Sequence, residues 1–406
     1  MKRDRISVFF QFYFWVIVHY LKRPYLLIPR FRQLVKNLRN KNKIYKEKLY
    51  LGSSDNKNAF YHGVPFKGEI DYCLRDSSPE KLRLLLLNED FKNKRILDLG
   101  CNVGFFAFSL AGQAKEVVAI DHDEVAIRKA KELCKKYNIK NVKFIADKIS
   151  VGLLKELGAF DVVLALSILP WINKIYKDPY KIWEQIYSNK TVYTELMYGH
   201  DGPAGMNEIK NDEDAKTLLR RFSSIVHPIG WTRGWEKDRT IWRSVKEFGK
   251  FSEYGGRSCS DVYLSEQFVK KSKKGFYHHS LFREYLALNR VKKEGITPIP
   301  VEVTEDYLIV NRLMGQQFDF NYPKQKAKKQ FKRILKVLRD KKIAHRDIRP
   351  DNLFVGIDDN IYLLDFAWAV IDNDWYSAPK TLGGLYKVKD YDNEKYFDLI
   401  LEKLKN

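Results

Sequence analysis

Cysteine is scarce in this 406-residue chain: Cys73, Cys101, Cys134 and Cys259, with no pair at C-x-x-C spacing. The spacing excludes a thiolate zinc site, and four isolated thiols in so long a chain do not make a disulfide framework. A reducing, cytosolic compartment is expected. The eight histidines are scattered, only His278 and His279 are adjacent, and no H-E-x-x-H occurs, so no structural metal is expected. No apolar run reaches the ~20 residues of a membrane-spanning helix. Hydrophobic residues make up 45% and charged residues 31%, which excludes wholesale disorder and a polytopic membrane protein. Acid is also in short supply. Asp and Glu number 51 against 73 Lys and Arg, a net charge of +22 that favours anionic partners. A single core stops growing at roughly 250–300 residues, so two domains are expected.

Half of that charge excess sits in one place. Residues 1–50 hold 13 Lys and Arg against Asp4 and Glu47, a local net charge of +11, so the rest of the chain is only mildly basic. Within this stretch Ile6 to Leu21 is apolar almost all round, interrupted by Ser7, Gln11 and His19, with Lys2, Arg3 and Arg5 before it and Lys22 and Arg23 after it. As a helix it spans ~24 Å, short of the ~30 Å hydrocarbon core, and Pro24 blocks a straight extension. No small-residue cleavage site follows, which argues against a removed signal peptide. Basic flanks with aromatics suit an interfacial anchor on an anionic leaflet. The expected location is therefore cytoplasmic, peripheral on the inner face of the plasma membrane.

Arg95 to Asp121 reads as strand, glycine turn, helix, strand, acid. Arg95 to Leu99 is a short buried strand, Gly100-Cys101-Asn102-Val103-Gly104 the turn, Phe105 to Ala114 a helix, and Val117 to Asp121 a second strand. This is the mononucleotide half of a doubly wound sheet. Gly100 and Gly104 let the backbone approach a ligand, and Asp121 can accept both ribose hydroxyls. The pattern is D-x-G-x-x-x-G, and Asp98 before the first glycine disfavours a pyrophosphate and suits a cationic ligand. Lys143 to Asp147 is a third strand whose acid can reach an adenine amino group. Phe160 to Ser167, with Leu166 near its end, is a fourth strand on the substrate side. The order matches a class I S-adenosylmethionine (SAM) methyltransferase, with Asp98, Gly100, Cys101, Gly104, Asp121, Asp147 and Leu166 as cofactor-binding candidates. Ile168-Leu169-Pro170-Trp171 puts no base at the strand end. Glu195, His200 and Asp201 are downstream candidates, and Glu195 is equally readable as a satisfied strand-end acid. A missing base fits an acceptor that is already ionised.

The second half carries His345-Arg346-Asp347-Ile348-Arg349-Pro350-Asp351-Asn352, followed by Asp365-Phe366-Ala367. This is the catalytic-loop and metal-binding pattern of protein kinases. Asp347 would orient an acceptor hydroxyl, while Asn352 and Asp365 would hold Mg²⁺ on ATP phosphates. Val262 to Lys271 reads as hairpin strands carrying a phosphate-binding lysine. Lys270 and Lys271 compete for that role, and Lys271 is preferred because Val269 then shares its strand face and can line an adenine pocket. Glu284 is its expected helix partner, and Gly255-Gly256 a candidate loop over the phosphates. Ala367 replaces the usual glycine. Only 41 residues follow Asp365 and no A-P-E element occurs, which favours a small-molecule or glycan acceptor over a polypeptide.

The expected architecture is an α/β doubly wound class I methyltransferase sheet followed by a reduced protein-kinase-like α+β domain. The expected boundaries are 1–55 for the membrane-interface segment, 56–240 for the methyltransferase and 241–406 for the kinase-like domain. The combination resembles the bacterial O-antigen chain-terminating bifunctional methyltransferase/kinases through LDLGCNVGFFAFSLA (Leu97 to Ala111), FDVVLALSIL (Phe160 to Leu169), EQFVKK (Glu266 to Lys271), HRDIRPDNLFV (His345 to Val355) and LLDFA (Leu363 to Ala367). The resemblance implies a kinase that phosphorylates the terminal sugar of a lipid-linked polysaccharide and a methyltransferase that caps the phosphate. The implied partners are a glycan or glycolipid acceptor and polysaccharide biosynthesis enzymes, with SAM, ATP and Mg²⁺ as cofactors. The chain departs from that family at Pro170-Trp171, and the family's long C-terminal coiled coil has no counterpart in these residues. Two other readings compete: a methyltransferase regulated by an inactive kinase fold, and an RNA methyltransferase suggested by +22. Against the latter, the basic excess sits beside the apolar segment, and no RNA-binding module interleaves it. Deleting residues 2–28 is expected to move the chain from the membrane to the soluble fraction, and unchanged partitioning in fractionated cells removes the anchor.

Overall fold

The runs Ile96–Leu99, Val117–Ile120 and Val162–Leu166 show almost no apolar–polar alternation, the pattern of strands covered by helices on both faces. In the computed structural model they form the centre of a seven-stranded sheet. Described are residues 59–66, 69, 72–75, 77–199, 206–233, 238–256, 260–273, 281–372, 374 and 393–405. The expected anchor segment and the candidates His200 and Asp201 lie outside them. Among the described residues no helix is long and apolar enough to cross a membrane.

The sheet comprises β1 (Arg95–Leu99), β2 (Glu116–Asp121), β3 (Val142–Ala146), β4 (Val162–Leu166), β5 (Thr191–Glu195), β6 (Ile225–Arg233) and β7 (Asp238–Val245), in the order β3-β2-β1-β4-β5-β7-β6. The first five strands are parallel, and β7 inserts antiparallel between β5 and β6. This is the class I methyltransferase order. Helices α1 (Ser78–Asn88), α2 (Phe105–Ala111), α3 (Glu124–Lys136), α4 (Val151–Leu157), α5 (Leu169–Ile175), α6 (Pro179–Tyr187) and α7 (Asp212–Leu219) accompany it. Strand alternation divides the core between the two faces. Ile96 joins Phe91, Phe106 and Ile241 on one face, while Leu97 and Leu99 join Trp183 and Trp242 on the other. The strand order reverses between β1 and β4, and the crevice at their C-terminal ends is where such sheets bind ligands.

A second lobe opens with an antiparallel sheet of β8 (Ser252–Gly256), β9 (Ser260–Leu264), β10 (Phe268–Lys273), β11 (Pro300–Val303) and β12 (Tyr307–Asn311), ordered β8-β9-β10-β12-β11. Helix α8 (Leu281–Val291) packs on β11 and β12. Beyond β13 (Gly315–Gln317) lie the long helix α9 (Lys324–Asp340), the short strands β14 (Ile343–Ala344), β15 (Leu353–Gly356), β16 (Ile361–Leu363) and β17 (Val370–Ile371), and α10 (Asn393–Lys403). Buried Ala327, Phe331, Ile334 and Leu338 form one face of α9, and Phe331 meets Phe397 of α10 with ring centres 4.5 Å apart.

Three details differ from expectation. The boundary at 240 falls inside β7, which continues to Val245 because Trp242, Ser244 and Val245 pair with both β5 and β6. Helix α2 ends at Ala111, where Gly112 caps it, rather than at Ala114. Gly255 and Gly256 pair with Val262 and Asp261 inside a strand, so they form no loop over a ligand.

The two lobes are also less separable than a boundary implies, since residues Phe60–Asn406 group as one unit. A buried polar knot joins them. Glu89 accepts from Lys94 Nζ at 2.7 Å, Tyr193 Oη at 2.8 Å and Gln267 Nε2 at 2.8 Å. Arg243, fully buried, donates to Tyr193 Oη at 2.9 Å and to the Gln267 carbonyl at 3.2 Å. Gln267 stands one residue before β10, so the second sheet is mounted on β5 and β7 of the first. Removing one partner of such a buried network leaves the opposite charges unpaired, at a cost of about 3–5 kcal/mol. Glu89→Ala is expected to lose that much in urea denaturation, and a loss below about 1 kcal/mol, the range of an exposed ion pair, contradicts the role given to Glu89.

Candidate active sites

The first site is built at the C-terminal ends of β1, β2 and β4. Gly100 and Gly104 both hold left-handed backbone, φ 72° and 87°. At Gly104 a side chain has no room, because a Cβ would lie 2.5 Å from the Phe144 ring. Asn102 between them also has positive φ, 49°, and its side chain accepts from the His62 amide at 3.1 Å. Asp98 ends up buried below the turn. Burial, then the neighbouring Asp121, raises its carboxyl to about 7, and its Oδ2 has no hydrogen-bond partner among the described residues. Such an orphaned carboxylate favours a cation. Burial would raise Asp121 too, but hydrogen bonds from His122 and from the amides of Asp123 and Asn102 bring it below its ordinary value. Asp147 stands exposed just past β3, its amide donating to the Asp121 carbonyl at 3.0 Å. Cys101 is buried, and burial together with Asp98 and Asp121 pushes its thiol up, which makes it inert. Leu166 closes β4, half-buried, beside Ser167 at φ 62°.

Glu195 turns out to be the satisfied strand-end acid rather than a base. Fully buried, it accepts from Lys81 Nζ at 2.8 Å, Thr232 Oγ1 at 3.0 Å and the Ser167 hydroxyl, and it is ion-paired with Arg239 Nη1 at 3.5 Å. Burial would raise its pKa, yet Lys81 and Arg239 draw it down to about 2. A carboxylate held that firmly is a poor proton acceptor near neutrality. Lys81 and Arg239 thus hold Glu195 as a carboxylate where β4 and β5 end. Lys81, Thr232 and Arg239 escaped sequence reasoning because they lie on α1, β6 and β7, far from Glu195 in the chain and in no motif.

The second site lies in the second lobe. Lys271 Nζ sits between Glu284 Oε2 at 2.9 Å and Asp365 Oδ1 at 2.7 Å. Burial would raise Asp365, but Lys271 takes it down to about 2. Asn352 Nδ2 donates to the Asp347 carbonyl and to Asp347 Oδ2, each at 2.8 Å, and the Leu364 amide donates to the Asn352 carbonyl at 2.8 Å. His345 bridges the same loops, its Nε2 donating to the Leu364 carbonyl at 2.9 Å and its Nδ1 accepting from the Asp347 amide at 3.3 Å. Burial keeps this imidazole neutral, its pKa near 4. Arg346 and Asp365 hold left-handed backbone, φ 68° and 56°, strain of the kind found at functional loops. Lys270 points to the opposite sheet face, its ammonium 4.9 Å from the Tyr307 ring. Strand alternation therefore takes Lys270 out of the cofactor set. Among the described residues no group of three or more His, Cys, Asp and Glu could hold a metal ion. Asn352 and Asp365 supply one amide and one carboxylate, a ligand-poor set of the kind Mg²⁺ accepts when phosphate oxygens and water complete it.

Residues 90–212 match the methyltransferase-domain family, and with the strand order this identifies a SAM-dependent methyltransferase domain of class I fold. Among curated proteins, the 23S rRNA (uracil(1939)-C(5))-methyltransferase RlmD of Aeromonas salmonicida (strain A449) is 36% identical over 76 residues, 18% of this chain and 17% of that protein. RlmD of Shewanella woodyi is 30% identical over 139 residues, 31% of this chain and 30% of that protein. The chain thus spans under a third of the length of these relatives. Among solved structures, the bifunctional kinase-methyltransferase WbdD aligns at 17% identity and TM-score 0.43 over 89% of this chain and 95% of that one. The N-terminal domain of EvdMO1, solved with SAH and D-fucose, aligns at 15% identity and TM-score 0.37 over 50% of this chain and 97% of that one.

Asp98 gives a pH signature. With its carboxyl raised to about 7, a cationic ligand must displace a proton below that pH. SAM affinity is expected to be flat above pH 8 and to fall by up to tenfold per unit below about 7. Calorimetry should show proton release at pH 6 that vanishes in Asp98→Asn. Affinity independent of pH between 6 and 8 removes the role.

Proposed function

We propose that this chain is a two-site transferase. In this reading the first lobe transfers methyl from SAM, the second transfers phosphoryl from Mg-ATP, and both act on a bacterial surface polysaccharide or glycolipid held at the membrane, which they would cap to end chain growth. Asp98, Gly100, Gly104, Asp121 and Asp147 would hold SAM, with the orphaned Asp98 carboxylate facing its positive charge and Asp121 its ribose. The sulfonium supplies an activated methyl group, so the protein's part is to align a nucleophile with it.

The observation that carries the second activity is the Lys271–Glu284–Asp365 contact beside the Asn352–Asp347 pair. Lys271 would take the α- and β-phosphates, Asn352 and Asp365 would hold Mg²⁺, and Asp347 would orient the acceptor hydroxyl. The cluster near Glu195 supports an ionised methyl acceptor, because its carboxylate is held by Lys81 and Arg239 and is no free base. A phosphate added by the second lobe has that chemistry. The RNA methyltransferase reading draws on the RlmD similarity, which is confined to a fraction of both chains.

Mass spectrometry of candidate glycans after incubation with ATP and SAM, together and separately, tests the proposal. Phosphate is expected with ATP alone, and methyl only when both are present. Asp365→Ala is expected to abolish phosphoryl transfer, by at least about 10³-fold, while SAM binding survives. Methylation of RNA with no change in any glycan overturns the reading, and methylation without ATP redirects it to a sugar hydroxyl.

A further inference from the structure

Helix α9 presents a face that nothing in the fold uses. From Lys324 to Arg339 it contains eight basic residues and no acid. Ala327, Phe331, Ile334 and Leu338 turn inward, while Lys326, Lys328, Lys329, Lys332, Lys336 and Arg339 are exposed. Lys326 pairs with Asp359 at 2.5 Å and Arg339 with Glu394 at 3.6 Å. Lys328, Lys329, Lys332 and Lys336 have no ion-pair partner among the described residues. Lys328, Lys332 and Lys336 follow one another at i, i+4 spacing, so their ammonium groups form a row ~12 Å long.

The arrangement works against the helix itself. Like charges at i, i+4 destabilise a helix, and Lys324 and Lys326 crowd cations at the end where the macrodipole is already positive. No side chain caps that end, and its first turn holds no acid. A helix needing only solubility would alternate signs along this face. The row therefore points to a counter-surface of negative charge. Its outward face holds no aromatic side chain on which a base could stack, the feature that single-stranded nucleic acid sites add to their cations. A planar array of anionic headgroups needs only the charge, and four to eight basic residues on one amphipathic helix are the usual footprint of such contact.

We propose that the Lys328–Lys329–Lys332–Lys336 face of α9 is a docking surface for an anionic lipid leaflet. It presses the second lobe onto the membrane independently of the apolar N-terminal segment. The inference deepens the membrane-surface reading of the chain and assigns the contact to a folded element.

The test uses the full chain with phosphatidylcholine vesicles containing or lacking phosphatidylserine. Replacing Lys328, Lys329, Lys332 and Lys336 together by Gln is expected to weaken binding to the phosphatidylserine vesicles at least about tenfold. The salt-dependent part of binding should disappear. An equal loss of charge on the first lobe, Lys131, Lys135, Lys143 and Lys155 to Gln, should change it less than about threefold. Unchanged SAM affinity and circular dichroism show that both variants fold. Equal weakening by the two sets reduces the effect to net charge and overturns the proposal. So does unchanged binding of the α9 variant, and if deletion of residues 2–28 then abolishes binding, the membrane reading stands without α9. Tighter binding of structured RNA than of vesicles, lost in the α9 variant, reassigns the face to nucleic acid.

Discussion

Glu89 is the point on which the two lobes turn. Fully enclosed, its carboxylate accepts from Lys94, Tyr193 and Gln267, with Arg243 standing behind Tyr193. The same groups need Glu89, since an unpaired guanidinium in this place is untenable. The charged members all belong to the first lobe, and the second completes their hydrogen bonds with the side-chain amide and backbone carbonyl of Gln267. The strand that carries Lys271 begins one residue after Gln267, so the position of the second site relative to the first sheet is set by this network.

Helix α1 continues the theme. Its first turn carries Lys81, which neutralises Glu195 at the end of β5. Its last turn offers the Leu87 carbonyl to the Met314 amide at 2.7 Å, just before β13, and the Asn88 side chain to Asn311 at the end of β12. Arg83 in the middle reaches the buried Asp358 at 2.6 Å. One helix of three turns thus touches the methyl-transfer edge at one end and the β12–β13 connection of the second lobe at the other.

Much of this was legible from sequence where the chemistry is local. Asp98, Gly100 and Gly104 sit within seven residues, and the turn they make depends on backbone angles that glycine alone adopts freely. The choice of Lys271 over Lys270 followed from strand alternation, which sends neighbours to opposite faces. The catalytic-loop pattern around Asp347 and Asn352 is similarly compact. What stayed hidden is polar and distant. Lys81 and Glu195 are 114 residues apart, and Glu89 and Gln267 are 178 apart. A buried salt bridge has no periodicity to betray it, and each partner alone looks like ordinary surface charge. The basic face of α9 was masked differently. Averaged over the long domains the excess charge looks mild, and only the helix register shows that the lysines share one side.

The fate of Glu195 bears most directly on chemistry. A strand-end glutamate beside a methyl-donor turn invites the role of general base, and its burial alone would favour that by raising its pKa. Lys81 and Arg239 reverse the sign. The proton that a hydroxyl nucleophile must shed therefore finds no acceptor in Glu195. The electrostatics that disqualify Glu195 as a base are what favour, in the proposed reading, an acceptor oxygen that is ionised before it arrives.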